Sequence, residues 1–263
     1  MTEQVRATDR TNRDFSRRKF LQYSAAGLST ALLAACAPTV APSTGESAPA
    51  TSSGETPAAS GPTQGGIIRL MGHQEVSGMG PQNLGASVEQ TVVYAIHNSL
   101  LLGDEMLVTK PVLAESFEVS EDGLTYTFTL VQGVKFHNDA DFTAEDVVYT
   151  YDYYRNPDNA TTNVNTFLGI ESVEAPDDYT VVVNMSQVNA ASLVSWAETP
   201  LVESAYHAEI GEEAYPTAPI GTGAFKLVNW VPAEVVELEA FEDHFRGRPN
   251  IDGIRQEVVP DAA

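Results

Sequence analysis

Apolar and polar residues alternate strictly through the stretch 125–130, which reads TYTFTL. Its aromatic and leucine side chains fall on one face and its threonines on the other. A period of two with aromatic and β-branched residues predicts a half-buried strand. The run 116–119 precedes it across a turn at Glu121–Gly123, where the glycine supplies the positive φ that a tight turn needs. Together these segments predict an antiparallel hairpin.

Two longer stretches follow a period of about 3.6 instead. Apolar residues recur at helical spacing from Ser87 towards Leu102, which predicts a helix that leads into a short strand. A second helix is predicted to begin after Thr143, a residue suited to cap it, with Glu145 and Asp146 favourably placed in the first turn. Asn156–Pro157 should end this helix, because a residue before proline avoids the α region.

Shorter patterns predict strands at 67–71, 170–175, 179–184, 225–230 and 235–240, and a short helix at 190–196. Between the first strand and the first helix lies the loop 72–81, which is rich in turn-forming residues and contains His73, Gln74 and Glu75. Loops on rigid strands often carry function. These side chains are either ligand contacts or solvated loop residues, and the pattern does not choose between them.

The N-terminal 35 residues have the organisation of an export signal: a basic region, a short apolar run and small residues at its end. Arg17 and Arg18, followed closely by Phe20–Leu21, resemble the twin-arginine export signal. A general secretory signal that happens to contain two arginines is the alternative. Leu33–Cys36, with the sequence LAAC, resembles the lipobox of bacterial lipoproteins and predicts acylation of the Cys36 sulfur.

Composition narrows the classes of function. The chain has 36 acidic and 14 basic residues, a formal net charge of −22, which argues against nucleic acid as a partner. Its single cysteine excludes an internal disulfide. Residues 37–64 are dominated by Pro, Ala, Ser, Thr and Gly, so a disordered tether is predicted there, with a glycosylated stalk as the alternative.

The sequence gives little support for a catalytic site or a metal-binding site. Asp139, Asp141, Glu145 and Asp146 lie close together, but the glycine that a calcium loop of the EF-hand type needs at its sixth position is missing. No third group orients His137, and no nucleophile stands in an elbow motif. We therefore expect no enzyme, no cofactor and no metal site.

Three large side chains, His97, Trp196 and Trp230, are expected to pack in the interior. No partner lies at metal-ligand spacing from His97. The two tryptophans are alternatively aromatic platforms for a ligand, although core aromatics are commoner.

The segment 113–146 resembles the signature segment of the extracytoplasmic solute-binding proteins of ABC importers, in the oligopeptide, dipeptide and nickel-binding family. Its FTAEDVVY run, at 142–149, matches that signature almost letter for letter. Pro219–Leu227 resembles a second family motif, written P.GTGPY.L. At 138–141 the chain departs from the family's Asp-Gly-Thr-Pro and carries Asn-Asp-Ala-Asp.

The resemblance implies a mixed α/β fold with type II periplasmic-binding-protein-like lobes, incomplete because the sequence stops before the opposing lobe. It implies this order along the chain: signal peptide at 1–35, lipidated cysteine and linker at 36–64, first segment of lobe I at 65–98, inserted small domain at 99–202, and a truncated second segment of lobe I at 203–263. It also implies a set of ligand-binding residues: His73, Gln74, Glu75, Gly221, Thr222 and Gly223.

The function implied is that of a monomeric lipoprotein that captures a peptide or related small solute outside the cell membrane and delivers it to an ABC permease and ATPase complex. It would touch the membrane through its lipid anchor only. Nickel chelates, haem and sugars remain open as ligands. A surface or sensory lipoprotein that transports nothing, and a truncated remnant that binds nothing, are the alternative functions.

Overall fold

The computed structural model describes residues 64–84, 87–103, 109–159, 164–167, 169–188 and 192–259. All of them belong to one compact unit, 57–263. The export signal, Cys36 and the linker as far as residue 63 lie outside the described residues. Among the described residues, no helix is long and apolar enough to cross a membrane.

The first sheet has four strands in the order β1-β10-β9-β8. Its strands are β1 (Ile67–Gly72), β8 (Phe225–Val231), β9 (Val235–Ala240) and β10 (Gly253–Val258). β1 pairs with β10 in parallel, whereas the β8–β9 and β9–β10 pairs are antiparallel. The sheet therefore joins a segment near residue 70 to one near residue 255, and this long-range pairing brings the two ends of the described chain together.

The second sheet is wholly antiparallel, in the order β4-β5-β7-β6. Its strands are β4 (Ala114–Val119), β5 (Thr125–Leu130), β6 (Ile170–Asp177) and β7 (Thr180–Met185). Phe117 and Phe128 lie opposite each other in the β4–β5 register, and their rings stack 5.7 Å apart. Gly123 has a φ of 73° in the intervening turn, which confirms the predicted hairpin.

The helices are α1 (Ser87–Ile96), α2 (Ala144–Arg155), α3 (Val164–Phe167), α4 (Ser192–Ala197) and α5 (Ser204–Ile210). A small ribbon of β2 (Leu101–Gly103) and β3 (Thr109–Pro111) leads from α1 towards the second sheet. α2 begins directly after Thr143, as predicted.

Two hydrophobic clusters correspond to the two sheets. The larger one packs against the second sheet and is centred on Trp196, whose indole meets Tyr126, Phe128 and Tyr151 edge-on at 5.4 to 5.8 Å. The smaller one lies between α1 and the first sheet. Trp196 is fully buried and Trp230 is partly buried against the smaller cluster, so both tryptophans pack as expected.

Candidate functional site

The loop after β1 borders an open groove at the N-terminal end of α1. The groove has a volume of about 680 Å³ and is lined by residues of β1, α1 and β10 together with His73 and Gln74. His73, Gln74 and Glu75 are all exposed. Glu75 is not among the residues that line the groove.

Glu89 holds this loop in place, a role that the sequence pattern does not reveal. It lies in the first turn of α1 and is only 7% exposed. Its carboxylate accepts hydrogen bonds from the backbone N–H and the hydroxyl of Ser77. A buried carboxylate is stabilised by such bonds and by the positive end of a helix, so Glu89 fixes the far side of the loop.

Gly221, Thr222 and Gly223 are buried rather than exposed to the groove. A Cβ atom on Gly221 or Gly223 would lie closer than 3.0 Å to the carbonyl of Ile96, at the C-terminal end of α1. The backbone N–H of Gly223 donates to that carbonyl at 2.8 Å. Both glycines are therefore required by close contact between this loop and α1.

Side chains from two directions hold the same loop. The Asn98 amide donates to the Thr222 carbonyl at 2.9 Å and to its hydroxyl at 3.2 Å. From the other side, the His137 ring lies against the backbone of Gly221 and Gly223. Thr222 is 1% exposed, and its hydroxyl is engaged by Asn98 within the protein.

The two sets of predicted ligand residues thus lie at opposite ends of α1. The groove includes Ser87, Val88 and Thr91 from the N-terminal half of the helix, whereas Gly221 and Gly223 contact its last turn. A helix of ten residues spans about 15 Å. The structure brings His73, Gln74 and Glu75 together, and the groove lined by His73 and Gln74 does not include Gly221, Thr222 or Gly223. The ligand role of all six residues remains a prediction.

The buried histidines serve the interior. His97 is fully buried, and its ring nitrogens lie 3.1 Å from the Val93 carbonyl and 3.0 Å from the Tyr215 hydroxyl. Burial lowers the pKa of His97 to about 3 and, with less complete burial, that of His137 to about 4. At neutral pH both rings are therefore uncharged.

The acidic residues after His137 form turn and cap contacts. Lys135 pairs with Asp141 at 2.6 Å, and Asp139 adopts a left-handed φ of 67° at the position where the family pattern has glycine. Asp146 is 4% exposed and closes a capping box with Thr143. Within the described part of the chain, no group of three metal-ligating side chains is close enough to hold an ion.

Solved structures similar to this one include solute-binding proteins. The oligopeptide-binding protein AppA of Bacillus subtilis, in complex with a nonapeptide, matches with a TM-score of 0.72 at 28% identity, over 76% of this chain and 41% of that one. The expected fold class, a partial type II periplasmic-binding-protein architecture, is thereby confirmed.

The sequence identifies the family. Residues 108–263 match the family described as "Bacterial extracellular solute-binding proteins, family 5 Middle", and the chain belongs to this family. Curated relatives include the glutathione-binding protein GsiB of Pectobacterium atrosepticum, 34% identical over 69% of this chain. AppA is 32% identical over 64% of this chain, and heme-binding protein A of Haemophilus influenzae is 33% identical over 58%.

The match covers only part of these relatives. It spans 36% of GsiB and 32% of AppA and of heme-binding protein A. The chain thus corresponds to about a third of the length of the curated relatives it matches.

Proposed function

We propose that this chain belongs to a solute-binding lipoprotein of an ABC importer that captures a peptide or a related small solute. The observation that carries the proposal is the family match over residues 108–263. The names of the relatives, which bind glutathione, oligopeptides and heme, support a small organic solute over a macromolecule. Two of those three solutes are peptides, so peptides are the first class to test.

In this proposal the exposed loop residues His73, Gln74 and Glu75 contact the solute directly. Gly221, Thr222 and Gly223 contribute through the shape of the backbone at the other end of α1. Glu75 would bind the ammonium or another cationic group of a peptide, because a carboxylate accepts charge-assisted hydrogen bonds from such donors. Glu89 supports this loop from behind through its two bonds to Ser77.

Binding is tested by calorimetric titration of the purified chain with glutathione, peptides of three to nine residues, a nickel–histidine complex and haem. We expect micromolar or tighter binding of at least one peptide, and a loss of about tenfold, or 1.4 kcal/mol, for Glu75→Gln. Glu121→Gln is the matched control, since Glu121 is also exposed but lies in the β4–β5 turn. If none of these solutes binds, the capture proposal is wrong for this chain, and the alternative of a remnant without ligand binding gains support.

Delivery and anchoring are proposed together. Arg17 and Arg18 would direct export, Cys36 would carry the lipid, and the monomeric binding protein would dock on a permease and ATPase complex. Labelled lipid precursor should enter the wild-type chain and not the Cys36→Ser variant, which should leave the membrane fraction. Ser43→Cys combined with Cys36→Ser is the control, because it restores a thiol outside the lipobox. Solute binding without uptake in cells that carry the importer would favour the sensory alternative.

A further inference from the structure

His137 makes three hydrogen bonds to one short loop. Its backbone N–H donates to the Gly221 carbonyl at 3.0 Å. Its ring Nε2 lies 2.9 Å from the Gly223 carbonyl, and its ring Nδ1 lies 3.4 Å from the Gly221 N–H. The ring therefore contacts both an acceptor, the Gly223 carbonyl, and a donor, the Gly221 N–H, on either side of Thr222 in the same loop.

These partners select one tautomer of the neutral ring. A carbonyl oxygen only accepts, so Nε2 carries the proton, and a backbone N–H only donates, so Nδ1 carries the lone pair. In the other tautomer both contacts would be repulsive. A doubly protonated ring would still satisfy Gly223 but would set two N–H groups against each other at Gly221.

The surroundings also disfavour a charged ring. Lys226 of β8, His244 after β9 and His97 after α1 all lie near enough to interact with it electrostatically. Lys226 is partly neutralised by Glu239 at 3.2 Å, and Lys135, near His137 on its own segment, is paired with Asp141. The rings of Phe241 and His137 pack in a T-shaped arrangement, with their centroids 5.0 Å apart.

We infer that His137, as its Nε2–H tautomer, is a positioning residue that clamps the Gly221–Gly223 loop against the last turn of α1. The loop immediately precedes β8 of the first sheet, and His137 follows the buried Phe136 of the cluster that packs on the second sheet. The clamp thereby links the family's two most recognisable motifs. The role holds whichever solute the protein binds, so it stands or falls separately from the proposed function.

The first test is spectroscopic. Long-range proton–nitrogen NMR correlation on the ¹⁵N-labelled chain reports which ring nitrogen of each histidine carries the proton, and the His137→Gln variant assigns the signals of His137. We expect an Nε2–H ring that stays neutral as the pH is lowered from 7 to 5. An Nδ1–H ring, or a ring that titrates near its ordinary pKa of about 6.5, would overturn the inference.

The second test measures opening of the loop. Hydrogen exchange of the Gly223 amide reports it, because that hydrogen is held by Ile96 and not by His137. His137→Ala should accelerate this exchange about tenfold. His137→Gln, which keeps a donor in place of Nε2, should recover part of that protection.

His244→Ala is the matched control, since His244 lies nearby but its ring bonds to Gly247 instead. It should leave Gly223 exchange within about twofold of the wild type. Wild-type exchange at Gly223 in His137→Ala would refute the clamp. Should that variant fail to fold, the tautomer and titration of the wild-type ring decide the matter.

Discussion

Asp146 joins two helices through one buried carboxylate, and its replacement by asparagine is the sharpest test of this fold. One oxygen accepts the Thr143 backbone N–H at 2.9 Å and its hydroxyl at 3.4 Å. The other oxygen accepts the backbone N–H of Ser204, at the start of α5, at 2.9 Å. Asp146 thus caps α2 from within and holds α5 to it.

Asparagine has the same shape but only one accepting oxygen. If that oxygen serves Ser204, the amide nitrogen faces the Thr143 N–H, and a buried donor is left unpaired at a cost of about 1–3 kcal/mol. Loss of the negative charge at two helix N-termini adds about 0.3–1 kcal/mol for each. We expect Asp146→Asn to lower the free energy of unfolding by about 3 kcal/mol.

Urea denaturation followed by tryptophan fluorescence measures the change, since Trp196 lies in the core next to α2. Asp152→Asn is the matched control. Asp152 is on the same helix, its side chain is 46% exposed, and it pairs with Arg155 at 2.9 Å. A surface pair of this kind should contribute no more than about 0.5 kcal/mol. Equal effects of the two substitutions would refute the reasoning.

A double-mutant cycle isolates the contact between the helices. Ser204 is the first residue of α5, where proline is tolerated, and Glu203 before it has the extended φ of −73° and ψ of 118° that a residue before proline prefers. Ser204→Pro removes the backbone N–H that donates to Asp146, so no donor at position 204 is left without an acceptor. In that background Asp146→Asn should cost about 1.5 kcal/mol less, because the remaining oxygen is free to serve Thr143. Additive effects would show that the carboxylate does not couple the helices.

Three further predictions concern the backbone and the histidines. Gly223→Ala should lower the free energy of unfolding by more than about 3 kcal/mol, because the added Cβ would displace the Ile96 carbonyl. Gly169→Ala should lower it by less than about 1 kcal/mol, because its Cβ would meet only the flexible tip of Met185 at 3.3 Å. Denaturant titration compares the two variants, and equal losses would contradict the contact with Ile96. Ala233→Gly should raise the melting temperature, gaining about 0.5 kcal/mol by relieving a left-handed φ of 61°; a lower melting temperature would contradict this. Burial lowers the pKa of His137 to about 4 from an ordinary 6.5, so between these pH values the unfolded chain binds a proton that the folded chain does not. The free energy of unfolding should therefore decrease as the pH is lowered through this window. Between pH 7 and pH 4 the decrease should be about 3 kcal/mol larger in the wild type than in His137→Gln, and parallel pH profiles of the two proteins would exclude the effect.

Local patterns predicted the second sheet well because its strands carry their own signals. The alternation at 125–130 specifies which face is buried, and Gly123 specifies the turn. β10 escaped prediction, since Arg255 and Glu257 interrupt any apolar alternation. The Arg255 guanidinium pairs with Glu237 of the neighbouring strand β9 and with Glu257 of β10 itself. A strand stabilised by its neighbours has no periodic signal of its own.

The same distinction applies to the candidate site. Gly221 and Gly223 are visible in the sequence as glycines that permit a close approach, but the sequence does not say to what. In the structure, both glycines closely approach the backbone carbonyl of Ile96. His137 has no partner in the sequence because its partners are backbone atoms more than 80 residues away. Roles set by long-range backbone contacts require the fold, whereas the exposed loop at His73–Glu75 was open to prediction from its own turn-rich sequence.

The two family motifs contact each other in the folded chain, because His137 of the signature segment bonds to Gly223 of the second motif. Asp146 of the signature segment caps α2 and bonds to Ser204 of α5. His137 of the same segment bonds to the loop of the second motif, and Asn98, which follows α1, donates to the Thr222 carbonyl of that loop. Because buried hydrogen bonds of this kind are costly to leave unmade, each of these residues is constrained by more than its own element. The signature segment therefore holds α5 and the loop before β8 in place.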